Sequence, residues 1–124
     1  MPLVVRAFPV LPGKEDEVRE FAEELAGERR REAATFYRSF GVAHESWHLQ
    51  HTEHGAWVIG VTELDDDPQV KAQAYATSQR PFDRWFKDRV QRLTGIDPDR
   101  EPLGPPTETL FEFSDGDESE PYRS

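Results

Sequence analysis

All four histidines of the chain lie between positions 44 and 54. The ordinary pKa of histidine is close to neutral pH, so its imidazole can accept and release a proton in general acid–base chemistry. His44 and His48 are four residues apart in a stretch where apolar and polar residues alternate, as they do in a half-buried β-strand. We therefore predict that these two imidazoles share one strand face and are candidate catalytic groups.

The polar face of this strand offers further hydrogen-bonding groups. A period of two separates an apolar face with Ala43, Trp47 and Leu49 from a polar face with His44, Ser46, His48 and Gln50. We predict that Ser46 and Gln50 bind a ligand beside the histidines. Arg6 interrupts the apolar N-terminal segment and is a candidate ligand for an anion. The alternative is an arginine near a strand end that extends to solvent or pairs with a neighbouring acid.

A metal site is a further interpretation of four clustered histidines, but their spacing argues against it. On a strand, His44 and His48 would lie about 13 Å apart, whereas zinc needs its nitrogen ligands at about 2.0–2.1 Å. Only His51 and His54, near the turn, would meet, and two exposed ligands make a weak site. The aspartates at 65–67 lack the alternating ligands and the glycine of a calcium loop and are interpreted as a turn. We predict no metal and no cofactor.

Composition excludes several classes of partner. A chain of 124 residues is expected to form one domain, and its formal charge of −10 argues against binding to nucleic acid or anionic membrane. There is no cysteine, which excludes disulfides and thiolate chemistry. We see no signal peptide and no apolar run of membrane-spanning length, so we predict a cytoplasmic protein.

The periodicity of the whole chain predicts a ferredoxin-like α+β fold. We expect strands at 2–10, 42–51, 56–63 and 107–113, and helices at 15–40, 69–77 and 81–94, the first of them broken near Gly27. This order is β-α-β-β-α-β with an antiparallel sheet, whose first and third strands are central. We expect a single domain over residues 1–114 and a disordered acidic tail at 115–124. Arg29 and Glu32 are interpreted as a structural ion pair, with a ligand role as the alternative.

One sheet face is expected to stay uncovered, because two helices cover only the other. On the parity that we assign, this uncovered face carries Val4, Arg6, Phe8, His44, His48, Val58 and Leu110. A face that mixes apolar and polar side chains in this way usually meets a partner. We therefore predict a homodimer whose two sheets face each other.

Three sequence elements resemble a known protein group. They are the opening Val-Val-Arg-x-x-x-x-Leu-Pro-Gly-Lys-x-x-Glu-Val, the charged run 28–32 before Phe40-Gly41-Val42, and Ser78-x-x-Pro81-x-Asp83. Over residues 3–94 the chain is similar to a family of small uncharacterised bacterial proteins in the dimeric α/β-barrel superfamily. That superfamily includes antibiotic-biosynthesis-type monooxygenases and stress-responsive barrel proteins. The resemblance implies two protomers paired sheet against sheet around a cavity.

Three functions remain open from the sequence. The first is a small-molecule-binding protein whose cavity lies between the sheets of a homodimer. The second is an enzyme, for example a cofactor-free monooxygenase-like one, that uses a cavity histidine. This second function is inferred only from the analogy of fold. The third is a structural dimer without a ligand site.

Overall fold

The structure, a computed structural model, describes residues 3–65, 68–104, 107–113 and 115. Its elements are β1 (Leu3–Pro9), α1 (Glu15–Ala26), α2 (Arg30–Ser39), β2 (Val42–Thr52), β3 (Gly55–Leu64), α3 (Pro68–Thr77) and α4 (Pro81–Thr94). The predicted α+β, ferredoxin-like class is confirmed. The tail predicted at 115–124 lies, apart from residue 115, outside the described residues.

The three described strands form one antiparallel sheet in the order β1-β3-β2. β3 is central, as predicted. β2 and β3 form the predicted hairpin, in which Thr52 pairs with Gly55 across the two-residue turn Glu53-His54. The Thr52 hydroxyl closes this turn by donating a hydrogen bond to the Gly55 carbonyl over 2.8 Å. Local turn chemistry therefore fixes the register of the hairpin.

The long helix predicted at 15–40 is divided, as expected, near Gly27. α1 ends at Ala26 and α2 begins at Arg30. A Cβ atom at Gly27 would lie only 2.9 Å from the carbonyl oxygen of Glu23, so this turn favours glycine. The break lets both helices bury an apolar stripe on the same side of the sheet, formed by Val18, Phe21, Ala33 and Phe36.

The core lies between the sheet and the helices and is rich in aromatic rings. Phe86 packs with its ring centroid 4.6 Å from that of Phe36 and 5.2 Å from that of Phe21. From the sheet, Phe8 and Val58 pair across β1 and β3 and are only 8% and 2% exposed. Burying apolar surface of this size, at roughly 25 cal/mol per Å², is the main stabilising term of such a layer.

The predicted parity of β1 and β3 is wrong. Val4, Arg6, Phe8 and Val58 were expected on the uncovered face with the histidines. They line the interior on the helix side instead, together with Trp47. Both strands are apolar at consecutive positions, so alternation alone gives no sign of which face the helices cover.

The predicted strand at 107–113 is also absent. These residues belong to no helix or strand, and their side chains are exposed. The Thr107 hydroxyl donates to the Val5 carbonyl over 2.6 Å, so the chain at this point lies beside β1. Only two residues of β1, Leu3 and Val4, precede Val5. The residues after Thr107 therefore find little β1 backbone to pair with. For the same reason β1 is an edge strand here and not a central one.

The Ser78-x-x-Pro81-x-Asp83 element organises the start of α4. Pro81 occupies the first turn, as predicted. The Asp83 carboxylate is buried and accepts hydrogen bonds from the Ser78 hydroxyl and, over 2.7 Å, from Arg80 Nε. Arg80 Nη2 also donates to Ser39 Oγ at the end of α2 over 2.8 Å. The element therefore joins two helices.

The predicted ion pair between Arg29 and Glu32 is present at the start of α2. Arg29 Nη1 lies 3.1 Å from Glu32 Oε1. The Arg29 guanidinium also lies 4.0 Å from the centre of the Trp85 ring, a cation–π contact that links α2 to α4. In the part of the chain that the structure describes, no helix is long and apolar enough to cross a membrane.

Candidate functional site

A cavity of 480 Å³ lies between the helix-facing side of the sheet and the helices. Helices α2, α3 and α4 and the segment 98–103 contribute to its walls. Most of the lining is apolar and aromatic. Its polar residues come from the sheet (Arg6, Glu45 and Thr62), from α2 (Tyr37), from α3 (Lys71, Gln73 and Tyr75), from α4 (Thr94) and from the segment that follows α4 (Asp99, Arg100 and Glu101). A volume of this size, apolar with a few polar groups, is typical of a small-molecule site.

The register of the sheet sets the floor of the cavity. Glu45 on β2 pairs directly with Thr62 on β3, and the neighbouring row places Arg6, Gly60 and Trp47 side by side. Gly60 leaves the floor open, because a Cβ atom added there would find its nearest neighbour 3.9 Å away. At Gly60 the central strand therefore leaves open space between Arg6 on β1 and Trp47 on β2.

Glu45 is held on the floor by two hydrogen bonds. Its Oε2 accepts from the Trp47 indole N–H over 2.7 Å, and its Oε1 accepts from the Thr62 hydroxyl over 2.6 Å. Burial raises the pKa of Glu45, although these two hydrogen bonds oppose the increase. The carboxyl is thus fixed in position and retains its proton to a higher pH than an exposed glutamate.

Two phenols stand near this carboxyl. Burial raises the pKa of Tyr37 well above its usual value, with smaller contributions from the charges of Glu45 and Tyr75. Burial likewise raises the pKa of Tyr75, and the negative charges of Asp99, Asp83 and Glu45 raise it further. Both phenols therefore remain protonated at neutral pH and can donate a hydrogen bond.

Arg6 links the floor to the segment that passes along β1. Its Nη1 donates to the Gly104 carbonyl over 2.9 Å. Gly104 has a φ of +78°, and a Cβ atom there would lie 2.5 Å from the Ala7 carbonyl oxygen, so only glycine fits this close approach. Burial lowers the pKa of Arg6, but a guanidinium stays charged at neutral pH. Arg6 thus places a fixed positive charge on the floor of the cavity, whose lining also includes Lys71 and Arg100.

A buried ammonium also holds the segment that contains Asp99. Lys87 on α4 is fully buried, and its Nζ lies 2.8 Å from the Ser78 carbonyl and 2.7 Å from Asp99 Oδ1. Arg84 Nη1 also donates to Asp99, over 2.7 Å. These hydrogen bonds lower the pKa of Asp99. The segment around Asp99 is therefore bound to α4 through charged groups.

The structure divides the residues that the sequence predicts for a site. His44, Ser46, His48 and Gln50 share the uncovered face of β2, and Ser46 Oγ lies 3.1 Å from His48 Nε2. Arg6 belongs to the opposite, helix-facing side of the sheet. No histidine is among the described residues that line the cavity. The structure therefore does not bring Arg6 together with the other four residues, whose functional roles remain predictions.

The sequence analysis missed Glu45, Tyr37 and Tyr75 as site residues. One signal was present: Glu45 shares strand parity with Trp47, so a carboxyl stands on the side of the strand that packs on the core. The two tyrosines come from different helices, and no sequence spacing relates them to β2.

Comparison with known proteins shows the family of this chain. Residues 1–110 match a family described as a family of unknown function, DUF6176. The chain belongs to this family. A comparison of this DUF6176 protein with curated proteins gives no match.

Among solved structures, the protein is similar to the crystal structure of L-rhamnose mutarotase FA22100 from Formosa agariphila. The two share 14% sequence identity at a TM-score of 0.63, over 92% of this chain and 100% of the mutarotase chain. At this identity the similarity establishes the fold alone. It agrees with the ferredoxin-like architecture of the sheet and helices.

Proposed function

We propose that this DUF6176 protein binds a small organic molecule in the cavity between sheet and helices. The observation that carries the proposal is the 480 Å³ cavity with a half-buried, hydrogen-bonded Glu45 on its floor. An apolar part of the ligand would pack on the aromatic walls, and a polar group would meet Glu45 and Arg6. This cavity lies within one protomer, whereas the sequence analysis placed the ligand between two protomers.

The polar groups restrict the chemistry of the ligand. Two phenols donate hydrogen bonds, the Glu45 carboxyl is held in place by Trp47 and Thr62, and Arg6 adds a positive charge. These groups favour a neutral hydroxylated molecule or a monocarboxylic acid over a cation, which would leave Arg6 facing a like charge.

A thermal-shift screen tests the proposal. The panel contains L-rhamnose, because of the similar mutarotase structure, together with other monosaccharides and small aromatic carboxylic acids. A ligand at a hundredfold excess over its Kd stabilises the folded state by about 2.7 kcal/mol. We expect at least one compound to raise the Tm of the wild type by several degrees.

A matched pair at Gly60 locates the binding site. Gly60→Leu places a branched side chain into the open floor and should abolish the ligand-induced shift. Gly60→Ala adds one methyl group at ordinary contact distance and should preserve the shift. A ligand that stabilises wild type and Gly60→Leu equally would place the binding site elsewhere.

A second candidate is an enzyme that transfers protons with Glu45. The raised pKa of Glu45 favours it, because a carboxyl that titrates nearer neutral pH can both donate and accept a proton. Interconversion of the two anomers of a sugar needs this chemistry. Exchange NMR on a bound monosaccharide would detect it. Glu45→Gln should abolish exchange while preserving binding, and His48→Ala should leave both unchanged.

The homodimer also remains a proposal, supported by the uncovered face of the sheet. Arg6 on β1 and its partner Gly60 on β3 face the helices, so the residues next to them in these two strands face away. The centre of this face is apolar, with Val5, Ala7, Ile59 and Val61 in register. Covering such a face is favourable for association. Sedimentation velocity at micromolar concentration should therefore show a dimer, and a stable monomer would contradict the proposal.

A further inference from the structure

Arg6 is half-buried and, among the described residues, has no carboxylate partner. The other half-buried arginines each form an ion pair: Arg29 with Glu32 at 3.1 Å, Arg84 with Asp99 at 2.7 Å and Arg89 with Glu24 at 2.9 Å. Arg6 donates instead to the Gly104 carbonyl, which carries no net charge. Burial lowers the pKa of Arg6, whereas a nearby carboxylate would raise it. A cation that is withdrawn from water is stabilised by an opposite charge, and the protein itself supplies none from the part of the chain that the structure describes.

The guanidinium of Arg6 can still bind an anion from the cavity. It has five N–H donors in a planar arrangement, and the Gly104 carbonyl accepts a hydrogen bond from Nη1. The remaining donors can hold the two oxygens of a carboxylate side by side. One guanidinium balances one negative charge, so the arrangement favours a monocarboxylate over a doubly charged phosphate.

The floor next to Arg6 is suited to an apolar body. Gly60 pairs with Arg6 across the sheet. A Cβ atom at Gly60 would lie 3.9 Å from Phe8 Cε1 and 4.0 Å from Trp47 Cδ1, which are ordinary contact distances. A ligand that extends from Arg6 over Gly60 would therefore pack between two aromatic rings. A sugar carries hydroxyls on most of its carbons, and those that face the rings would lose their hydrogen bonds to water without replacement.

The two other cations of the lining have acids beside them. Arg100 is exposed and lies 3.5 Å from Asp97. The Cε atom of Lys71 and the carboxylate of Asp65 both approach the same point beside Gly41, at the start of β2. Their charges are thus offset in part by the chain itself, unlike the charge of Arg6.

We infer that the ligand of the cavity is a monocarboxylic acid with an apolar body, whose carboxylate pairs with Arg6 and whose body lies across Gly60 between Phe8 and Trp47. The inference rests on the proposed function and narrows it, because the cavity then selects an acid over a neutral sugar.

Calorimetric titration with two matched probes tests the preference for an acid. Cinnamate and cinnamamide have nearly the same shape and differ in charge. The wild type should bind cinnamate at least tenfold more tightly than cinnamamide. Equal affinities, or no binding of cinnamate, would overturn the inference. The proposed function would survive that result if another compound of the thermal-shift panel bound to the wild type and not to Gly60→Leu.

Variants of the lining arginines locate the carboxylate. Arg6→Met should weaken cinnamate binding at least tenfold and leave the affinity for cinnamamide within about threefold, which shows that the cavity is intact. Arg6→Lys keeps the positive charge and should still prefer cinnamate, so it tests the inference even if Arg6→Met does not fold. Arg100→Met and Lys71→Met are the controls and should bind cinnamate within about a factor of two of wild type.

Two results would show that the carboxylate is not at Arg6. One is an Arg6→Met protein that binds cinnamate as tightly as the wild type does, or an Arg6→Lys protein without any preference for the acid. The other is a tenfold loss of cinnamate binding in Arg100→Met or Lys71→Met, which would place the anion at one of those residues.

Discussion

The two faces of the sheet differ in the surroundings that they give to polar side chains. On the helix-facing side, Glu45 is half-buried, receives two hydrogen bonds and has a raised pKa. On the uncovered side, His44 and His48 are exposed, although histidine is the residue type better suited to proton transfer. The comparison teaches that the surroundings of a titratable group, more than its type, indicate where a site lies.

The largest expected effect is on the helix-facing side. Trp47→Ala should lower the free energy of unfolding by about 3–5 kcal/mol, because it removes a large ring from the core. That ring packs 5.4 Å from Phe21, and its N–H also holds Glu45. Urea denaturation measures the change. A loss below 1 kcal/mol would mean that this side of β2 is not packed as described.

Arg6→Met should have an intermediate effect. It keeps an apolar stem but removes the charged donor to the Gly104 carbonyl, at a cost of about 1.5 kcal/mol. Arg19→Met is the control, because Arg19 pairs with Asp16 on an exposed helix surface and should contribute less than about 0.5 kcal/mol. Equal losses in the two variants would show that Arg6 does not hold the segment along β1.

Glu45→Gln should change how stability depends on pH. The raised pKa means that the folded protein keeps this proton where the unfolded chain, with a pKa of about 4.3, has released it. The stabilisation that the folded state gains from holding this proton is therefore fully present below a pH of about 4. It is lost as the pH rises through the pKa of Glu45 in the folded protein. Glu45→Gln removes this loss. Its free energy of unfolding, relative to that of wild type, should therefore increase between pH 4 and 8. Parallel profiles from urea denaturation would contradict the raised pKa.

The smallest effect is expected on the uncovered face. His48→Ala should change the free energy of unfolding by less than about 0.5 kcal/mol, because the side chain is exposed and its contact to Ser46 is partly replaced by water. The same urea titration measures it. A loss comparable to that of Trp47→Ala would mean that the two faces are assigned the wrong way round.

Local signals in the sequence predicted much of the fold. The hairpin, the break at Gly27 and the start of α4 at Pro81 each depend on turn or capping chemistry within a few residues. The side of the sheet that the helices cover was predicted wrongly for β1 and β3, because both strands are apolar at consecutive positions. The strand at 107–113 has the right pattern, but the described chain offers it no partner strand.

The candidate site was less predictable than the fold. The only sequence signal for its carboxyl was that Glu45 lies on the same strand face as Trp47. Its phenols, Tyr37 and Tyr75, line the same cavity as Glu45 because of helix packing, which no sequence spacing encodes. Arg6 was identified, but with neighbours on the opposite face. A cavity depends on how layers pack, and pattern reasoning addresses each layer separately.

The central claim is that ligand binds on the helix-facing side of the sheet and not at the histidines. Calorimetric titration of the best compound from the screen into Gly60→Leu and His48→Ala tests it most directly. The account predicts that Gly60→Leu abolishes binding and that His48→Ala binds within a factor of two of wild type. Binding that survives in Gly60→Leu and disappears in His48→Ala, or a screen in which no compound stabilises the wild type, would contradict it.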